Sequence, residues 1–218
     1  MNLTGRTILI TGGSAGIGLA FALKFLELGN EVIVTGRRQA LLDGVKAKYP
    51  KLHTIQSDVA DPAGIMAEMN INVGGVIGMT SAFIGILTAN KGAVINVSSA
   101  LAFVPLPSAP IYSATKAAIH SYTQSLRFQL EETGVEVIEL MPPAVKTGLT
   151  GDLPEGDGIT LMTTDELVKQ SFASFKAGAL EIRPGQAKQL ALMRRLAPDF
   201  INGQLWKASK KLVPAGVG

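Results

Sequence analysis

Short β-branched runs alternate along this chain with longer segments of helical period. Thr7–Thr11 (TILIT) is a compact apolar run and predicts a buried strand. Gly16–Leu28 follows it, with Ile17, Ala20, Phe21, Phe25 and Leu28 at a spacing compatible with 3.6 residues per turn. Gly29-Asn30 supplies the residues that end such a helix. Glu31–Thr35 (EVIVT) predicts a second strand, Gln39–Lys48 a second helix and His53–Gln56 a third, short strand. Ala93–Val97 (AVINV) and Val135–Leu140 (VEVIEL) predict two more strands, the latter stopped by Pro142-Pro143. Between them lies a long helical segment, Tyr112–Glu132, ending near Gly134. Asp165–Gly178 and Gln186–Leu196 carry amphipathic helical patterns. Alternation of this kind predicts an α/β fold: a doubly wound parallel sheet in one domain spanning 1–218, with helices on both faces. Such sheets bind ligands beyond the carboxyl ends of their strands.

Composition narrows the chemistry. With 218 residues, 47% apolar and 17% charged, the chain can bury one sizeable core. It has no cysteine, which excludes disulfides, thiol nucleophiles and thiolate metal sites. Its two histidines, His53 and His120, are far apart in sequence and no HExxH spacing occurs, so no metal site is expected. The net charge of +3 comes from scattered Lys and Arg. The pairs Arg194-Arg195 and Lys210-Lys211 read as solvated surface, and no nucleic-acid partner is expected. Met1–Thr7 is polar and carries Arg6, unlike a signal peptide. Ile71–Asn90 is the stretch nearest to membrane-spanning length, but it is Gly-rich and predicts a buried helix. A soluble, cytoplasmic protein without a membrane partner is the expectation.

The first strand leads straight into Gly12-Gly13-Ser14-Ala15-Gly16-Ile17-Gly18 at the head of the first helix. Glycines at 12, 16 and 18 allow a tight turn. They let backbone N–H groups approach a pyrophosphate at a helix N-terminus, a Rossmann-type arrangement. An NAD-preferring site places an acid at the end of the second strand, to bond the ribose 2′-OH. Here Gly36 stands there, followed by Arg37-Arg38. A guanidinium forks onto a 2′-phosphate, so the expected cofactor is NADP(H).

Tyr112-Ser113-Ala114-Thr115-Lys116 puts a phenol and an ammonium at i and i+4, on one helical face. A free phenol titrates near 10 and shuttles protons poorly at neutral pH. The neighbouring ammonium is expected to draw that value down. Ser99 follows the strand Ala93–Val97, and its hydroxyl could bond a substrate oxygen that gains charge. Asn72 precedes an apolar helix-like stretch. Taken as ordinary structure, Ser99 is a turn serine and Asn72 a helix cap.

Together these residues resemble the short-chain dehydrogenase/reductase family. Thr11–Gly18 (TGGSAGIG) is similar to its TGxxxGxG fingerprint, and Asp58-Val59 to its adenine-contacting pair. Ser99, Tyr112 and Lys116 match its Ser and YxxxK, and Asn72 its asparagine. Pro142-Pro143-Ala144-Val145-Lys146-Thr147 resembles its PGxVxT element, with Pro143 in place of Gly. In the family that element holds the nicotinamide carboxamide and phosphate, which puts Pro142, Val145 and Thr147 among the cofactor contacts. Asn202–Trp206 and Ala102–Pro105 look similar to the DltE-like branch. The resemblance implies NADP(H)-linked interconversion of a carbonyl and an alcohol. Tyr112 would be general acid/base, Lys116 would bond the nicotinamide ribose, Ser99 would hold the substrate oxygen, and Asn72 would anchor a relaying water. It also implies a homodimer or homotetramer, built on the apolar faces of Val73–Leu87 and of the Tyr112 helix. A cofactor-binding sensor without turnover and an isomerase or epimerase are the alternatives on the same fold. The segment Ala100–Ile111 (Leu101, Phe103, Val104, Leu106) and the loop Gly148–Thr164 are expected to line an apolar substrate pocket.

One spacing departs from the pattern. Asp58 and Asn72 are fourteen residues apart. The family places a helix, a central strand and an NNAG turn between them, and only Ala63-Gly64-Ile65-Met66 looks like the tail of that turn. Losing a central strand would leave buried backbone groups unpaired, at about 1–3 kcal/mol each. The expectation is that residues are missing here, with breaks near Pro62–Ala63 and Met66–Ala67.

Overall fold

The computed structural model describes residues 3–56, 64–148, 150 and 160–209. They group into two compact units, Met1–Val59 with Ala144–Gly178, and Ala60–Pro143 with Ala179–Gly218.

In the first unit, β1 (Thr7–Thr11), α1 (Gly16–Glu27), β2 (Glu31–Gly36), α2 (Gln39–Lys48) and β3 (His53–Gln56) succeed one another, close to their predicted bounds. The strands form a parallel sheet in the order β1-β2-β3, with Thr7 opposite Glu31 and Ile33 opposite His53. A left-handed glycine ends α1. Gly29 sits at φ +79 and its N–H donates to the Leu26 carbonyl at 3.0 Å. The buried Asn30 then donates its amide to the carbonyls of Leu3 (2.8 Å) and Phe25 (2.9 Å), fastening the entry to β2. The core is aromatic. Phe21 and Phe25 of α1 meet Phe172 and Phe175 of the helix that begins at Thr164, with the Phe25 and Phe172 centroids 4.8 Å apart.

In the second unit, α3 (Gly64–Met69) passes through a π-helical turn (Asn70–Gly74) into α4 (Gly75–Ala89) without a break. β4 (Ala93–Val97), α5 (Pro110–Gln129) and β5 (Glu136–Leu140) follow. Pro110 opens α5 two residues before the predicted start, as a first-turn proline can. Then α6 (Thr164–Lys176) belongs to the first unit, while β6 (Glu181–Ile182), α7 (Gln186–Leu196) and α8 (Pro198–Ser209) complete the second. Sequence patterning had not revealed β6 or α8. Its parallel sheet runs β4-β5-β6, and Val94, Leu126, Leu130, Val135 and Val137 make its core.

The α/β class with parallel strands and flanking helices is as expected, and the described strands fall into two three-stranded sheets. α3 runs through Met66 and Ala67, where the second break is expected; Pro62 and Ala63 lie outside the described residues. The expectation of a buried helix over Ile71–Asn90 is corrected. Only Gly75 and Thr80 of α4 are buried, while Phe83 and Ile86 are exposed. The helix Met66–Ala89 is long and apolar enough to cross a membrane, with 6% of its most apolar window buried. Ile84 and Leu87 pack against the core, while the rest of this apolar helix is left uncovered.

Candidate active site

The glycine turn is built by the absence of Cβ atoms. A Cβ on Gly18 would stand 2.5 Å from the Gly12 carbonyl oxygen, and one on Gly13 would stand 2.6 Å from Val34 Cβ. Gly12 has φ +70 and Gly16 φ +54, both in the region that favours glycine. Ala15 caps α1 without any side-chain hydrogen bond, so the first-turn N–H groups have no side-chain partner at the cap. Uncapped donors beside a turn closed to side chains fit a diphosphate. The Thr147 methyl lies where a Cβ on Gly16 would meet it, at 3.4 Å, so the structure brings Thr147 to this turn as the resemblance implied. Val145 is buried behind it and bridges Met162.

At the end of β2, a Cβ on Gly36 would come within 2.9 Å of Ser14 Oγ, the tip of a side chain that can turn away. Arg37 and Arg38 are exposed just beyond, with no ion pair among the described residues. Asp58 and Val59 lie outside the described residues, as does most of the Gly148–Thr164 loop.

The second unit assembles the other set. Ser99 leaves β4 in extended backbone, and its Oγ accepts from the Leu101 N–H at 3.1 Å. The Ser99 hydroxyl also acts on the Tyr112 phenol, an influence that favours the phenolate. Lys116 Nζ lies over the Tyr112 ring, 5.4 Å from its centroid, and donates to the Val97 carbonyl at 3.1 Å. Asn72 sits inside the π-helical turn and donates to Thr115 Oγ1 at 3.1 Å, which excludes its reading as a helix cap. Pro142 is tied in by its carbonyl, which accepts from the Ala100 N–H at 3.0 Å. Ser99, Tyr112, Lys116 and Asn72 are thus all carried by β4, α5 and the helix that α5 packs against.

The expected electrostatics need correction. Burial holds the Tyr112 phenol above its ordinary value; the Ser99 hydroxyl opposes this and Glu68 adds to it. Lys116 does not draw it down, because the ammonium stands over the ring face and burial lowers Lys116 itself to about 8. Desolvation outweighs the pairing. At neutral pH the phenol therefore carries its proton, ready to act as an acid.

A cavity of about 500 Å³ opens beside this cluster's segment, lined among others by Leu101, Phe103, Leu106, Ala114 and Arg194. Val104, expected to line it, is fully buried in the core instead. Sequence reasoning missed Glu139 and His120. The signal was there: a glutamate interrupts the apolar strand EVIEL, and it is wholly buried.

The family model for short chain dehydrogenases matches residues 6–67 and 61–158. The chain belongs to the short-chain dehydrogenase family. The match to this family divides at 61–67, the place where the sequence spacing is short. An uncharacterized oxidoreductase, DltE, of Bacillus subtilis is 37% identical over 224 residues, covering 84% of this chain and 89% of the relative. Since 84% of 218 residues is about 183, about 40 aligned positions have no counterpart in this short-chain dehydrogenase. The NADPH-dependent 1-acyldihydroxyacetone phosphate reductase of Schizosaccharomyces pombe is 31% identical, over 65% of this chain and 60% of its own length. A short chain dehydrogenase from Burkholderia cenocepacia, crystallised in complex with NADP, superposes with a TM-score of 0.83 at 26% identity, covering 94% of this chain and 99% of that one.

Proposed function

We propose that this short-chain dehydrogenase interconverts a carbonyl compound and an alcohol with NADP(H) as hydride partner. The observation that carries the reading is Lys116 Nζ over the Tyr112 ring, 5.4 Å from its centroid, with the Ser99 hydroxyl acting on the same phenol. Gly12, Ser14, Ala15, Gly16, Ile17 and Gly18 would hold the diphosphate, and Thr147 would stand beside it. Arg37 and Arg38 would take the 2′-phosphate; the NADP of the Burkholderia relative and the NADPH of the yeast one support that preference. When bound, the nicotinamide supplies or accepts the hydride. Ser99 would donate to the substrate oxygen as charge develops on it, and Tyr112 would give that oxygen its proton. Lys116 would bond the ribose, and Asn72 would hold the proton supply near it.

The test is NADPH consumption with a panel of apolar ketones and aldehydes. Tyr112→Phe should lose about 100- to 10,000-fold in kcat. Turnover retained by that variant with every substrate the wild type accepts would overturn the reading. Phe83 and Ile86 on the uncovered face of α4 suit a second copy of the chain, as in the homodimer or homotetramer expected from the family. Ile86→Glu should convert the oligomer to monomer in sedimentation, and a wild type that is already monomeric at micromolar concentration would refute this.

A further inference from the structure

Glu139 is the one residue of β5 whose burial needs explaining. Its neighbours Val137, Ile138 and Leu140 are buried apolar side chains, whereas Glu139 buries a carboxylate with zero exposure. An unpaired charge there would cost several kcal/mol, and a hydrophobic residue of similar volume would avoid the cost. Its two oxygens are both engaged. Oε2 meets His120 Nδ1 of α5 at 2.8 Å, and Oε1 accepts a hydrogen bond from the Ser98 hydroxyl.

Ser98 is the residue before Ser99. Its N–H donates to the Leu140 carbonyl at 2.9 Å, and the Ala100 N–H donates to Pro142. The chain between is extended, with Ser99 at φ −167 and ψ 161. In extended backbone, successive side chains point to opposite sides, so any rotation of this segment swings Ser98 and Ser99 together. Anchoring the Ser98 hydroxyl therefore sets where the Ser99 hydroxyl points.

We propose that Glu139 is a positioning residue: held by His120, it grips Ser98 and so aims Ser99 at Tyr112. His120 keeps the carboxylate compensated. Facing the imidazole are Glu139 from β5, Glu181 from β6, Arg183 beyond β6, and the Gln124 amide at 3.3 Å on its own helix. Arg127 of α5 faces Glu181 at 3.7 Å. The Glu139 hydrogen bond is the largest influence and holds His120 above its ordinary value, against the burial that lowers it. The kinetic consequence rests on the carbonyl–alcohol reading; the positioning itself does not.

The experiment follows Tyr112 directly. The protein has three tyrosines, and Tyr112→Phe identifies the Tyr112 signal in ring-labelled protein by NMR. Glu139→Gln keeps the shape of the side chain; Ser98→Ala cuts the link while leaving Glu139 paired with His120, and serves if the first variant does not fold. In either variant the Tyr112 titration should move up, because the Ser99 hydroxyl that favours the phenolate is no longer held in place. For carbonyl reduction, kcat should fall at least about tenfold with KM for NADPH within about twofold. Ser98→Thr, which restores the hydroxyl, should recover both. A Tyr112 titration that stays in place in folded Ser98→Ala overturns the proposal. Should the wild type reduce no carbonyl at all, the functional reading fails, and the Tyr112 titration still decides the positioning.

Discussion

The glycine turn accepts no additional atom at position 18, whereas the Ser99–Tyr112–Lys116 cluster depends on a few polar atoms being kept. At the turn, 2.5 Å separates a would-be Cβ on Gly18 from the Gly12 carbonyl oxygen. Backbone shape makes the site, and its donors are peptide N–H groups that any sequence of the right shape would supply. In the cluster, shape is secondary. What matters is that a phenol, a hydroxyl and an ammonium are drawn out of water and made to face one another. The lesson is that the two sites fail differently: one to an added methyl, the other to a removed oxygen or charge.

The largest effect should come from the cluster. Tyr112→Phe, which removes one oxygen and nothing else, should abolish most of kcat while leaving NADPH binding within about twofold, as titration calorimetry would read. Gly18→Ala should do the converse. Its Cβ forces the turn to shift at a cost of about 1–3 kcal/mol, so NADPH binding should weaken about tenfold or more at little cost to the Tyr112–Lys116 arrangement. If Gly18→Ala binds NADPH like the wild type, the turn does not hold the diphosphate.

Arg37→Ala should weaken NADPH binding by about tenfold and leave NADH binding unchanged, since only the former presents a 2′-phosphate to the exposed guanidinium. Equal losses for both cofactors would dissociate Arg37 from the preference. A further effect is on stability. Lys116 titrates at about 8 in the folded protein against 10.5 ordinarily, so between these values the unfolded chain binds more protons and the native state gains stability as pH rises. Lys116→Met lacks this dependence. In urea unfolding it should be more stable than wild type below pH 8, with the gap closing towards pH 10.5.

Much of the fold was written in local pattern. β1, α2, β3, β4 and α7 occupy their predicted residues, because each is a run of one period bounded by turn residues. The glycine turn was equally legible, since the requirement for glycine is local. The cluster's members could be named from spacing, but not its electrostatics. Tyr112 and Lys116 at i and i+4 suggest an ammonium that lowers a phenol, and burial reversed the balance. A buried residue such as Val104 could not be told from a pocket residue, because both are apolar and lie in the same segment.

α4 and α5 mark the boundary most clearly. The more apolar α4 stays largely exposed, while the more polar α5 buries Thr115, Ile119, Thr123 and Leu126. Hydrophobicity is a property of a residue, and burial is a property of what stands opposite it. Period, turn and cap are settled by residues within a few positions of one another, so the sequence by itself determined the strands other than β6, most helices, the glycine turn and the grouping of Ser99, Tyr112 and Lys116. The pairing of Glu139 with His120 and Ser98, the raised phenol and the uncovered face of α4 depend on residues brought together across 19 to 41 positions of chain or on the absence of a covering layer. Desolvation and hydrogen bonding act only on neighbours in space, and only the tertiary structure decides who those neighbours are.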